Sequence, residues 1–226
     1  MSTDATAQPT APSRSRPAPS SVLLNTRVVA VLRADHAADY APVIEALQRG
    51  GVLSMELTLS TPGVWEELPR LQERFGDAVE IGVGTVTTAA EAETALDLGA
   101  AYVVTPVMEP AVIDACVRRG VPVFPGGLTP TELFAGWSRG ATAVKVFPAS
   151  TVGAAYVGQL RGPFPDLQVI PSGGIAINDA AAWILAGATA VSLGGPLLGD
   201  AFKGGDLAEL TDRARQVRRV VDEASR

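Results

Sequence analysis

Lys145 lies in GATAVKVFPASTVG, residues 140 to 153, inside a run that otherwise reads as a short buried strand. The chain has 18 basic residues, yet only Lys145 and Lys203 are lysines. An amine among apolar side chains costs roughly several kcal/mol unless it is paired or neutral. One explanation is a buried ion pair with Glu56 that fixes the interior. Arginine would serve that purpose better, because its planar fork grips a carboxylate at two points and it is this chain's habitual cation. A primary amine is needed where the nitrogen must shed a proton and attack a carbonyl carbon, which favours Schiff-base chemistry.

Two glycine pairs form a second group. PSGGI (171 to 175) and LGGPL (193 to 197) put Gly173, Gly174, Gly194 and Gly195 at the ends of two late apolar runs. Bare glycine lets backbone N–H groups approach an anion closely, so paired turns of this kind suit a phosphate.

Positioning these groups is the task of a repeated unit. From residue 27 onward a short Val- and Ile-rich run, a turn and an amphipathic helix-length segment recur eight times. The predicted strands are 28 to 32, 53 to 58, 80 to 85, 101 to 105, 121 to 125, 143 to 147, 168 to 172 and 190 to 194. Eight such repeats predict a single α/β domain, a (β/α)8 TIM barrel over 21 to 226. An open doubly wound sheet is the alternative, but GVGTVTTAA lacks the third glycine of its nucleotide-binding turn.

In such a barrel the site lies at the C-terminal ends of the strands. Alternation along LSMELT sends Leu53, Met55 and Leu57 outward and Ser54, Glu56 and Thr58 inward. In AVKVF it sends Val144 and Val146 outward, and Lys145 and Phe147 inward. Thr85 closes the third strand and Arg33 follows the first. Glu56 and Lys145 therefore enter the same interior.

Composition narrows the alternatives. A formal charge of −6 and a pI near 4.9 argue against a nucleic-acid surface. No apolar run reaches the roughly 18 residues of a membrane span. The chain is therefore expected to be soluble. The one cysteine, Cys116, excludes an internal disulfide, fits a reducing cytoplasm and reads as a small core residue of a helix. His36 is the one histidine, so a histidine-rich metal site is not expected. Residues 1 to 20, rich in Pro, Ser, Thr and Ala, read as a disordered tail.

Over residues 22 to 223 the chain resembles the class I 2-keto-3-deoxy-6-phosphogluconate (KDPG) aldolases. The resemblance rests on VVAVLRA, GGVLSMELTLSTP, IGVGTV, VVTP, PVFPGGLTPTE, VKVFPA, GPFPDLQVIPSGGI and the late LGG, in the family's order. It implies that Lys145 forms the imine with pyruvate and that Glu56 handles the protons. Arg33 and Thr85 match positions that hold the pyruvate carboxylate, and Pro106 and Phe147 match pocket positions. Ser172, Gly173, Gly174, Gly194 and Gly195 match the phosphate loops.

The same resemblance implies an enzyme of the Entner-Doudoroff pathway, without metal or cofactor. Its partners would be pyruvate and a phosphorylated aldehyde, and its assembly a homotrimer. Two departures bear on the substrate: Ser60 stands where some branches carry arginine, and Pro196 where some carry a phosphate-binding serine. LSTPGVWEEL also resembles the related 2-keto-3-deoxy-6-phosphogalactonate branch. That substrate and 4-hydroxy-2-oxoglutarate are the alternatives, followed by a phosphate-binding barrel isomerase or a non-catalytic binder.

Overall fold

The strand-then-helix repeat runs through the computed structural model, which describes residues 16–226. Its strands are β1 (Val28–Leu32), β2 (Ser54–Thr58), β3 (Glu80–Gly84), β4 (Val103–Val104), β5 (Val123–Phe124), β6 (Gly126–Gly127), β7 (Val144–Val146), β8 (Val169–Pro171) and β9 (Val191–Leu193). The helices are α1 (Ser21–Thr26), α2 (Tyr40–Arg49), α3 (Val64–Phe75), α4 (Ala89–Asp97), α5 (Pro110–Arg119), α6 (Pro130–Ser138), α7 (Ala155–Arg161), α8 (Ala180–Leu185), α9 (Gly195–Leu198) and α10 (Leu207–Ala224).

All strand pairs are parallel, in a six-stranded sheet ordered β5-β4-β3-β2-β1-β9 and a three-stranded sheet ordered β6-β7-β8. The predicted fifth strand, 121 to 125, is divided at its end. Pro125 has no N–H to give to a ladder, so β5 stops before it and β6 resumes after it against β7. A parallel bridge joins Ser172 to Ser192, and the Thr189 N–H donates to the Val169 carbonyl at 2.8 Å. The result is an α/β fold whose parallel sheet curls, with helices on its outer side.

Strand alternation divides the core as expected. Met55, Leu57, Val144 and Val146 join the large cluster beneath the helices, with Ile44, Leu68 and Val157. The opposite faces form an inner cluster that includes Val29, Tyr102, Phe124 and Ile170. Helix starts then fix the loops at the C-terminal ends of the strands. In α4 the Thr88 hydroxyl accepts from the Glu91 N–H at 3.2 Å while the Glu91 carboxylate accepts from the Thr88 N–H at 3.0 Å. Thr129 and Glu132 repeat this reciprocal cap in α6.

At the other end of the strands α1 adds an element that the repeat did not predict. Leu23, 1% exposed, inserts from α1 into the inner cluster. The expected tail needs a matching correction. Residues 1 to 15 lie outside the described residues, whereas 16 to 20 are held against the domain. Arg16 donates to the carbonyls of Ala141 and Trp137 and stacks 3.3 Å from the Trp137 ring centroid. Ser20 caps α1 by accepting from the Leu23 N–H at 2.9 Å.

Candidate active site

Lys145 projects from the middle of β7, its N–H tied to the Pro125 carbonyl at 2.8 Å, so its side chain turns inward while Val144 and Val146 turn outward. Glu56 takes the inward position of β2, 2% exposed. The two meet with Lys145 Nζ 3.8 Å from Glu56 Oε1. That separation is an ion pair without a direct hydrogen bond, which leaves room for a proton to travel through a small intervening group. Lys145 Nζ also lies 5.3 Å from the Phe147 ring centroid. The charge is thus buried against one carboxylate and one aromatic face.

Gly84 on β3 makes space for this carboxylate. A Cβ there would stand 2.5 Å from both Cγ and Cδ of Glu56, closer than real Cβ atoms approach anything. Directly after it, Thr85 has φ 62, the left-handed region that a β-branched residue rarely adopts. A strained residue of this kind costs about 1–3 kcal/mol and persists only where its surroundings hold it.

One cavity of about 410 Å³ collects all eleven residues singled out in the sequence: Lys145, Glu56, Arg33, Thr85, Pro106, Phe147, Ser172, Gly173, Gly174, Gly194 and Gly195. Arg33 reaches it from the end of β1, and Pro106 from the loop after β4. Phe147, 39% exposed, stands at its mouth. Gly173 and Gly174 have φ +91 and +73, and a Cβ on Gly174 would stand 2.7 Å from the Ser150 side chain. Among the described residues their N–H groups make no hydrogen bond to a backbone carbonyl, so they are free for an anion. The Ser172 hydroxyl meets Ser192 Oγ at 3.3 Å.

Sequence reasoning missed Lys203 as a lining residue, along with Val31, Leu198, Gly199 and Phe202. The signal was available, because the chain has two lysines and both line this cavity. The charged lining groups are thus three cations and one carboxylate, in a chain whose formal charge is −6. Such a concentration of positive charge makes the cavity favourable to anions. A larger and shallower cavity of about 570 Å³ lies at the N-terminal ends of the strands, lined by Ser21, Gln72, Glu80 and Gly99. It brings together no amine and carboxylate, so the smaller cavity is the one equipped for chemistry.

Outside the cavity, Cys116 is buried in α5 and burial pushes its thiol up to about 12, as suits a core residue. His36 is exposed and accepts from the Ala38 N–H at 3.1 Å. Among the described residues no helix is long and apolar enough to cross a membrane.

Known proteins share this arrangement's framework. Residues 20–212 match the family described as KDPG and KHG aldolase. The chain is 31% identical over 202 residues to the 2-dehydro-3-deoxy-phosphogluconate aldolase of Treponema pallidum (strain Nichols), covering 88% of this chain and 95% of that one. It is also 31% identical over 185 residues to the 2-dehydro-3-deoxy-6-phosphogalactonate aldolase of Escherichia coli (strain K12), covering 81% and 88%. The solved KDPG aldolase of Legionella pneumophila, with pyruvate captured as a covalent carbinolamine intermediate, superposes with a TM-score of 0.79. It is 28% identical and the match covers 87% of this chain and 96% of that one. The chain belongs to the KDPG and KHG aldolase family.

Proposed function

We propose that this protein is a class I aldolase that cleaves 2-keto-3-deoxy-6-phosphogluconate to pyruvate and glyceraldehyde 3-phosphate. The observation that carries the reading is the buried amine of Lys145 beside Glu56, in one cavity with the two glycine turns. Lys145 passes a proton to Glu56 and its free amine attacks the C2 carbonyl carbon; Glu56 returns that proton to the carbinolamine hydroxyl, which leaves as water to give a protonated imine. Glu56, directly or through one water, takes the proton from the C4 hydroxyl as the C3–C4 bond breaks. The bonding pair moves into the imine, leaving an enamine of pyruvate and the free aldehyde. Glu56 returns the proton to C3, and water then releases pyruvate from Lys145.

Arg33 and Thr85 hold the substrate carboxylate and so fix which carbonyl carbon the amine meets. Pro106 and Phe147 wall the reacting end, while Ser172, Gly173, Gly174, Gly194 and Gly195 receive the phosphate. The reaction needs no metal, because the protonated imine is the electron sink. The reading extends to one closed (β/α)8 barrel, supported by the Ser172–Ser192 bridge and by the single run 123–127 that serves both sheets. It also extends to a cytoplasmic homotrimer. Phe134, 43% exposed and stacked on Phe164, is an apolar surface that such an assembly can cover.

Borohydride reduction with pyruvate tests the chemistry: the adduct mass is expected on Lys145, and its absence removes the Schiff-base reading. The second reading is cleavage of 2-keto-3-deoxy-6-phosphogalactonate or 4-hydroxy-2-oxoglutarate, favoured by the equal identity to the galactonate-type relative. Comparing kcat/KM across the three substrates decides between them.

A further inference from the structure

We propose that Lys203 is the cation that binds the substrate's terminal phosphate and sets the preference for phosphorylated over unphosphorylated substrates. The inference rests on the reading of the cavity as an aldolase site.

The charges that line the cavity do not balance. Lys145 is balanced by Glu56, whereas Arg33 and Lys203 have no ion-pair partner among the described residues. Arg33 at the end of β1 answers one carboxylate. The second unbalanced cation calls for a second anionic group on the same ligand.

The glycine turns are not sufficient for a dianion. They supply N–H groups and the single hydroxyl of Ser172, but Pro196 has neither an N–H nor a hydroxyl. Helix α9 spans only four residues, too few to bring a useful dipole. An ammonium group supplies the missing charge-assisted donor.

The segment that carries Lys203 is firmly built. Arg213 on α10 donates through Nε to the Leu197 carbonyl at 2.8 Å and through Nη2 to the Leu198 carbonyl at 2.9 Å. Phe202 packs edge-on against the buried Tyr40 ring at 5.7 Å. The Lys203 N–H donates to the Asp200 carbonyl at 2.7 Å, which closes the turn 201–203. The backbone is thus pinned at the cavity rim while the exposed four-carbon side chain is free to reach an incoming phosphate.

The test compares wild type, Lys203→Met and Lys203→Arg in three assays. Lys203→Met is expected to lower kcat/KM for 2-keto-3-deoxy-6-phosphogluconate, relative to that for 4-hydroxy-2-oxoglutarate, by roughly 10–100-fold, mainly through KM. Binding of glycerol 3-phosphate, measured by calorimetry, should weaken in parallel, and Lys203→Arg should restore most of both. An unchanged substrate ratio, or unchanged glycerol 3-phosphate binding, in Lys203→Met overturns the proposal. Borohydride trapping of pyruvate on Lys145 is read separately. A wild-type protein without that adduct overturns the aldolase reading instead, and glycerol 3-phosphate binding then decides the role of Lys203 alone.

Discussion

Lys145 Nζ and Glu56 Oε1 stand 3.8 Å apart, with only 9% and 2% of their side chains exposed. The distance is too long for a direct hydrogen bond and short enough for strong mutual attraction. It places the carboxylate where a single water or a substrate hydroxyl can carry a proton past the amine. Lys145→Arg keeps the charge and is expected to keep the fold, yet it should form no pyruvate adduct. Glu56→Gln should fold and lose turnover by roughly 10²–10⁴-fold, the usual contribution of a positioned general base. Steady-state kinetics with thermal melts check both, and near-normal turnover of Glu56→Gln removes that residue from its role.

Gly84 determines where the carboxylate can sit. A Cβ at this position overlaps the Glu56 side chain, which is itself packed inside the sheet. Gly84→Ala should therefore displace the carboxylate and lower kcat by about 10²-fold. The overpacking should also destabilise the fold by roughly 1–3 kcal/mol. The decisive measurement is the rate of borohydride-trapped adduct formation, and a wild-type rate in a folded Gly84→Ala protein contradicts the steric argument.

Strand parity made much of this site readable. Because side chains alternate with a period of two, LSMELT and AVKVF place Glu56 and Lys145 on the interior face without any knowledge of the loops. Helix α5 is equally readable, since the apolar spacing of PAVIDACVRR and the glycine that follows it agree. Other features needed tertiary structure. SVLLNT is too short for a helical period, and it buries Leu23 while leaving Leu24 46% exposed, so α1 is held by the inner cluster and not by its own pattern. The rim position of Lys203 depends on Arg213 and Tyr40, which lie far from it in sequence or on another element. The φ of Thr85 has no signature in composition at all.

That backbone angle can be tested directly. A left-handed conformation costs a side-chain-bearing residue about 1–2 kcal/mol that glycine escapes. Thr85→Ala keeps the strain and removes the hydroxyl, whereas Thr85→Gly removes both. Thr85→Gly should therefore be the more stable variant by about 1 kcal/mol in urea unfolding, despite the extra unfolded-state freedom of glycine. Both should raise the KM for pyruvate-releasing substrates. Equal stability of the two variants shows that Thr85 is unstrained.

Cys116 should be chemically silent in the native protein. Its thiol is fully buried in α5, and burial, with nearby Glu93 acting in the same direction, pushes it up to about 12. At pH 8 almost no thiolate is present to attack a disulfide reagent. No colour is expected from native protein with a chromogenic thiol reagent, and one equivalent after denaturation. Stoichiometric labelling of the native protein within minutes shows that the helix opens readily.

Glu80 gives a pH-dependent prediction at the opposite end of the fold. It is 9% exposed at the start of β3, and its Oε1 has no hydrogen-bond partner among the described residues. Burial raises its pKa above the ordinary 4.5, against the opposing influence of the Ser20 and Ser54 hydroxyls. The folded chain therefore holds this proton more tightly than the unfolded chain does. Stability contributed by the neutral carboxyl is fully present below the unfolded value and is lost as pH rises through the folded one. Glu80→Gln keeps the shape and removes the charge, so its melting temperature should exceed that of wild type at pH 8. The difference should shrink toward zero as pH falls below about 4.5, where the native carboxyl is protonated in both states. Each ~1 kcal/mol moves the melting temperature by roughly 2–4 °C in a chain of this size, so thermal melts at pH 4 and pH 8 resolve the effect. A difference that is the same at both pH values, or a lower melting temperature at pH 8, shows that the Glu80 carboxylate is not the source of strain.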